Sequence, residues 1–141
     1  MTDWLPTYCT NVHAGRDLAE TEANLGRFAP RVRELVASAE EPDAEIGLGL
    51  WLSAETAREL RETGGARAFR DRLLDQGLRV VTFNGFPYGD FHAEVVKHAV
   101  YEPHWADPRR LAYTTDLAEL LVELLPDGTS DASISTLPIG W

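Results

Sequence analysis

The sequence predicts an α/β fold in which parallel β-strands alternate with helices. Three observations carry that prediction. Short apolar runs recur through the chain, at Leu5 to Val12, Glu45 to Leu52, Leu78 to Phe83 and Ala132 to Leu137. Segments with helical periodicity separate them. Strands that alternate with helices in this way imply crossover connections, so the pairing is parallel and the crossovers right-handed.

Each element has a local reason. After the first strand, Asp17 is placed to cap a helix, with Glu20 three residues on in capping-box position. Leu18, Leu25, Phe28, Val32 and Leu35 follow at helical spacing and predict its buried stripe. Pro30 lies inside that stripe and predicts a kink or a helix in two pieces. The acidic stretch Glu40 to Asp43 reads as a turn. In the second strand Ile46, Leu48, Leu50 and Leu52 alternate with Gly47, Gly49 and Trp51, a period of two. Ser53 caps the next helix, Gly64-Gly65 breaks it, and a second piece from Ala66 to Gln76 stops at Gly77. Asp107-Pro108 starts the last helix, with proline at the first helical position. Its buried face is read as Leu111, Leu117, Leu120, Leu121, Leu124 and Leu125.

Length and composition narrow the function. The 141 residues suit one domain with a real core, and neither a linker nor an internal repeat divides them. The net charge of −10 argues against nucleic acid, whose phosphates need clustered Lys and Arg. It argues equally against docking on anionic lipid. No apolar run approaches the roughly 20 residues of a membrane span. The N-terminus lacks the pattern of a signal peptide. A single cysteine, Cys9, excludes an internal disulfide and fits a reducing cytoplasm; it reads as a buried structural thiol.

The longest informative stretch runs from Val80 to Trp105. A strand opens into a connection far longer than the usual 4–6 residues or so, rich in aromatics, His and Gly. Such connections line pockets at strand ends. All four strands end in polar or aromatic clusters: Thr10 to His13, Trp51 to Ser53, Asn84 to Tyr88 and Leu137 to Trp141. Four consecutive strands ending this way fit a (β/α)₈ TIM barrel better than an open sheet. A complete barrel needs about 250 residues. The chain therefore reads as its first half, β1 to β4, a single partial domain over residues 1–141. A complete, open four-stranded sheet is the competing architecture.

The segments YCTNVH, FNGFPYGDFH, VKHAVYEPHW, DPRRLAYT and SISTLPIGW resemble the N-terminal part of the metabolite traffic protein EboE family. That family resembles the xylose isomerase-like TIM-barrel proteins, which include sugar isomerases and epimerases. The resemblance spans essentially the whole chain and implies a barrel protein that processes or moves a small metabolite. It further implies a divalent metal in the full-length protein, with ligands on later strands, so none is assignable to residues of this chain.

The residues that best fit such a site are Asn11, His13, Trp51, Asn84, Tyr88, His92 and Lys97. His92 can bind a hydroxyl, ligate a metal or move a proton; its competing role is a loop histidine bonded to backbone. Lys97 can offset charge on an enediolate, against the commoner role of a solvated helix lysine. These two are the candidate catalytic groups. Asn11 and His13 follow the first strand and can line the same cavity if the sheet curls. Asn84 offers donor and acceptor to a polyol, or simply forms the turn. Trp51 and Tyr88 can stack on a ring, or pack. His98 and His104 fit surface or packing roles. No nucleotide-binding, zinc-finger or serine-hydrolase motif occurs.

Three functions follow: an isomerase- or epimerase-like barrel working next to a carbonyl, a non-catalytic metabolite carrier, or an inactive half barrel. The partner is a small metabolite or sugar-like molecule. The two outer strand edges invite self-association.

Overall fold

A computed structural model describes residues 5–37, 44–89 and 100–139. In chain order the strands are β1 (Thr7–Cys9), β2 (Ile46–Leu50), β3 (Leu78–Asn84) and β4 (Ser133–Ser135). The α-helices are α1 (Leu18–Val36), α2 (Ala54–Glu62), α3 (Ala66–Asp75) and α4 (Pro108–Leu124). The strands form one sheet in the order β1-β2-β3-β4, every pair parallel. The predicted α/β class and parallel pairing are therefore present.

Sequential order with right-handed crossovers winds the chain one way and puts its helices on one face. Contacts between the helices agree. Glu22 of α1 pairs with Arg72 of α3 at 2.6 Å, and Arg61 of α2 pairs with Asp116 of α4 at 2.7 Å. Ile46, Leu48, Leu50, Leu78 and Phe83 are fully buried against this layer, with Phe69, Leu117 and Leu120 opposite them. The other face carries small and polar side chains. Thr7 and Cys9, then Ser133 and Ser135, are exposed there. Gly47 and Gly49 lie between the flanking strands: a Cβ at Gly47 would meet Thr7 Oγ1 at 2.8 Å, so this face is tight as well as polar.

A register shift between Leu48 and Gly49 lets Val80 oppose Leu48 while Thr82 opposes Gly49. Val81 is thereby skipped, as in a β-bulge, and the strand changes phase. Val80 and Phe83 both reach the core for that reason.

The capping signals work as read. Asp17 accepts from Glu20 N at 2.8 Å, Ser53 from Thr56 N at 3.1 Å and Asp107 from Arg109 N at 2.9 Å. The Glu20 carboxylate turns back one residue further than a capping box requires, to Arg16 N. Gly77 closes α3 at φ +71, a left-handed conformation that favours glycine.

Several expectations need correction. The first strand is three residues, not eight, because Thr10–His13 winds into a 3₁₀ turn. The fourth strand is Ser133–Ser135 rather than Ala132 to Leu137. α1 runs as one helix through Pro30 rather than in two pieces, and the exposed position of Pro30 lets water serve the carbonyl that the ring leaves unbonded. Leu35 and Leu111 are exposed, at 78% and 63%, not in the core. Cys9 is exposed: it sits on the open face while its neighbour Tyr8 points into the core. The turn read at Glu40 to Asp43 lies outside the described residues.

Gly85 is where the chain turns off β3 between β4 and α4. A Cβ there would meet Ile134 Cγ2 at 2.8 Å, with Leu117 Cδ1 and Ser135 O at 3.0 Å. Gly85→Ala is expected to cost about 1–3 kcal/mol through overpacking. Denaturant unfolding reads it, and an unchanged midpoint would show that β4 is not held against α4 in this way.

Candidate functional site

The carboxyl ends of all four strands are tied into one rim. At β1, Thr10 is buried and its hydroxyl accepts from Trp51 N at 2.9 Å. At β2, the Trp51 indole donates to Pro87 O at 2.8 Å, reaching the segment after β3. Tyr113 of α4 spans the same two segments, its hydroxyl 2.8 Å from Leu52 O and 3.1 Å from Pro87 O. Ala54 N, at the start of α2, donates to Tyr88 O at 2.8 Å. At β3, Asn84 Oδ1 accepts from Phe86 N at 3.2 Å and from Ser135 Oγ of β4 at 3.0 Å. Gly85 N adds a bond to Ser135 O at 2.8 Å. Trp105 closes the far side by donating to Leu137 O at 3.0 Å.

Arg110, in the first turn of α4, sits beneath this rim with 0% exposure. Its Nε donates to Pro103 O at 2.8 Å, and Nη1 donates to Gly85 O and Phe86 O, both at 3.0 Å. One guanidinium thus holds both ends of the connection between β3 and α4. The rings of Tyr88 and Tyr113 each stand 5.7 Å from its Cζ, within the range of a cation–π contact. Tyr88 meets Tyr113 edge-on, centroids 5.3 Å apart. Burial pulls the Arg110 guanidinium down from its usual value and pushes the Tyr113 hydroxyl well up. Tyr113 is thus a neutral donor at ordinary pH. At the N-terminus of α4, hydrogen bonds from Arg109 hold the Asp107 carboxyl at about 2, which keeps the cap ionised.

The predicted site residues fall into distinct places. Trp51 is buried, with 2% of its surface exposed. Asn84 and Tyr88 stand half-buried on the rim. Asn11 is half-buried in the 3₁₀ turn, its Oδ1 3.4 Å from Cys9 Sγ. His13 turns toward the helix layer. Its Nδ1 shares a hydrogen bond with the Tyr8 hydroxyl at 2.5 Å, and its ring stacks on Phe28 at 3.6 Å. Asn24 fixes the same turn by donating to His13 O at 3.1 Å. The structure thus brings Trp51, Asn84 and Tyr88 to one rim and sends His13 to packing with α1. His92 and Lys97 lie outside the described residues, as does His98. His104 is exposed and accepts from Ala106 N.

The reading of the sequence passed over Thr10, Arg110 and Tyr113. A signal for two of them was present. Arg110 and Tyr113 share the helical phase of Leu117, Leu120, Leu121 and Leu124, so a charge and a phenol stand on an inward-facing stripe.

Among the described residues, no three His, Cys, Asp or Glu side chains come together as a metal site. Nor is any helix among them long and apolar enough to cross a membrane. Comparisons with known protein families, curated proteins and solved structures return no match.

Proposed function

We propose that this chain is the four-strand first half of a (β/α)₈ barrel of the xylose isomerase-like kind, resembling EboE, and that it handles a small polar metabolite in the cytoplasm at its strand-end rim. The observation that carries this reading is the sheet itself. Four parallel strands in sequential order, all helices in one layer, with the strand ends stitched together, are what half of such a barrel requires. A doubly wound open sheet would reverse its strand order at a switch point.

Two surfaces support a continuation beyond β4. The outer edge of β4 is unpaired among the described residues. Beside it, α4 presents a free flank. Asp116, Glu119 and Glu123 face α2 and α3, where they pair with Arg61 and Arg67. Leu111, Thr115, Ala118 and Val122 lie on the opposite flank, with Leu111 63% and Val122 78% exposed. An apolar flank beside an open edge suits a further strand and helix, or self-association in their absence.

In this reading Asn84 and Tyr88 contact the ligand, with Asn11 from the neighbouring turn. Trp51 is the wall behind them. In a full-length barrel His92 and Lys97 would carry proton transfer next to a carbonyl, and the half barrel alone would be inactive. A divalent metal, as the resemblance implies, would belong to the full-length protein.

Thermal shift and calorimetry with a panel of aldoses, ketoses and polyols test the reading. At least one sugar is expected to bind the full-length protein, and His92→Ala to weaken binding or turnover about tenfold, as loss of a direct hydrogen bond would. An inert panel, or unchanged behaviour of the variant, counts against it. Titration with Mg²⁺, Mn²⁺, Co²⁺ and Zn²⁺ separates enzyme from carrier, since a carrier needs none of them.

A further inference from the structure

Arg110 has one donor group left over. Its Nε and Nη1 are taken by the three carbonyls already described, yet Nη2 is buried and, among the described residues, has no hydrogen-bond partner. Among the described residues no carboxylate pairs with this guanidinium. Other arginines do find acids: Arg61 with Asp116 at 2.7 Å, Arg72 with Glu22 at 2.6 Å and Arg79 with Glu45 at 3.0 Å. Arg110 is the more deeply buried, and a buried charge without a counter-charge is costly. Backbone carbonyls offset part of that cost as dipoles, and the two tyrosine rings offset more. None of them supplies a full negative charge.

We propose that Arg110 anchors an anionic ligand, a carboxylate or phosphate group, at the carboxyl end of β3. Its Nη2 is the free half of a fork built to hold two oxygens. Its position is the one at which parallel α/β sheets take their ligands. Tyr113 is fixed, with 1% exposure and its hydroxyl bonded to two carbonyls. Tyr88 is the movable wall: it is half-exposed and is followed by the exposed Gly89. Nη2 is closed to solvent, so an anion enters as the Tyr88 ring swings away. The site stands whether or not the sheet belongs to a barrel, because it uses only Arg110 and Tyr113 of α4 and the turn from Gly85 to Gly89 after β3.

Thermal unfolding in sodium phosphate and in sodium acetate, each against chloride at equal ionic strength, tests it. The wild-type chain is expected to gain a few degrees, on the order of 3 °C at tenfold the dissociation constant, and the gain should saturate. Which salt acts separates phosphate from carboxylate as the source. Arg110→Lys keeps the charge but not the fork and should lose the saturable gain. Tyr88→Leu removes the wall and should bring saturation at several-fold lower concentration. The Arg110 Nε–H resonance of the wild-type chain gives a readout independent of any variant and should shift with the anion. A wild-type chain showing neither a saturable gain nor a resonance shift overturns the site, and so does an equal gain in Arg110→Lys. Either failure leaves the sugar titrations untouched.

Discussion

Replacing Trp51 by alanine is expected to lower the unfolding free energy by about 3–5 kcal/mol, the range for a large buried aromatic. Two features place it there. The side chain is 2% exposed, so truncation opens a cavity rather than a surface dimple. Its indole N–H is bonded to Pro87 O at 2.8 Å, so the substitution also takes away the nearer of that carbonyl's two donors, leaving the Tyr113 hydroxyl at 3.1 Å. The backbone N–H that bonds the Thr10 hydroxyl and ties β1 to β2 is kept in alanine and adds nothing to the loss. Trp51→Phe separates the terms: it keeps most of the volume and drops the hydrogen bond, and should cost roughly 1 kcal/mol from that loss. Denaturant unfolding with hydrogen exchange at residues 85–89 measures both. Should Trp51→Ala lose less than about 1 kcal/mol, within the range of ordinary surface changes, the indole is not the pin between β2 and the segment after β3.

How much of this was legible before the coordinates depends on the range of the interactions concerned. Local chemistry read well. Asp17, Ser53 and Asp107 cap the helices they precede, and Gly77 ends α3, because each acts within three residues of itself. The β2 alternation also read well, since a period of two needs no partner to be seen. Failures came where distant residues decide. Thr10 leaves β1 early for a buried bond to Trp51, 41 residues away, and no local signal marks that. Leu35 and Leu111 fit a helical stripe by type, but Leu35 stands in the last turn of α1 and Leu111 on the outer flank of α4, and both are exposed. Cys9 looked buried because cysteines usually are; strand alternation put it on the open face instead.

The site divides the same way. The clusters at the strand ends were visible as residue types, and Trp51, Asn84 and Tyr88 do meet at one rim. His13 carried the right chemistry in the right place along the chain, yet its ring is taken by Phe28 and Tyr8. Arg110 was hidden by its neighbours: beside Pro108 and Arg109 it reads as one more surface charge at a helix start. Only the phase of α4 separates it from Arg109, which stays outside and bonds Asp107.

Arg110→Met is the second large effect, and its sign rests on two opposed costs. Removing the guanidinium leaves the carbonyls of Gly85, Phe86 and Pro103 without their donor, at about 1–3 kcal/mol for each that water cannot reach. Against this, methionine removes a buried charge that no carboxylate pairs with among the described residues, Glu102 acting on it without an ion pair, and apolar replacements of buried ions are often neutral or better. The first cost should win, because three acceptors are orphaned at once and methionine offers them nothing. A net loss of about 2–4 kcal/mol is expected on that reckoning. The loss should also be local. This side chain bonds the carbonyls of Gly85, Phe86 and Pro103, so amide protection around those residues should fall first, while Leu48 and Leu50 in β2 keep theirs until global unfolding. Hydrogen exchange followed residue by residue decides between the terms. A variant as stable as wild type would mean that the desolvated charge outweighs the three carbonyls. Uniform loss of protection would mean that Arg110 supports the whole core rather than the connection after β3.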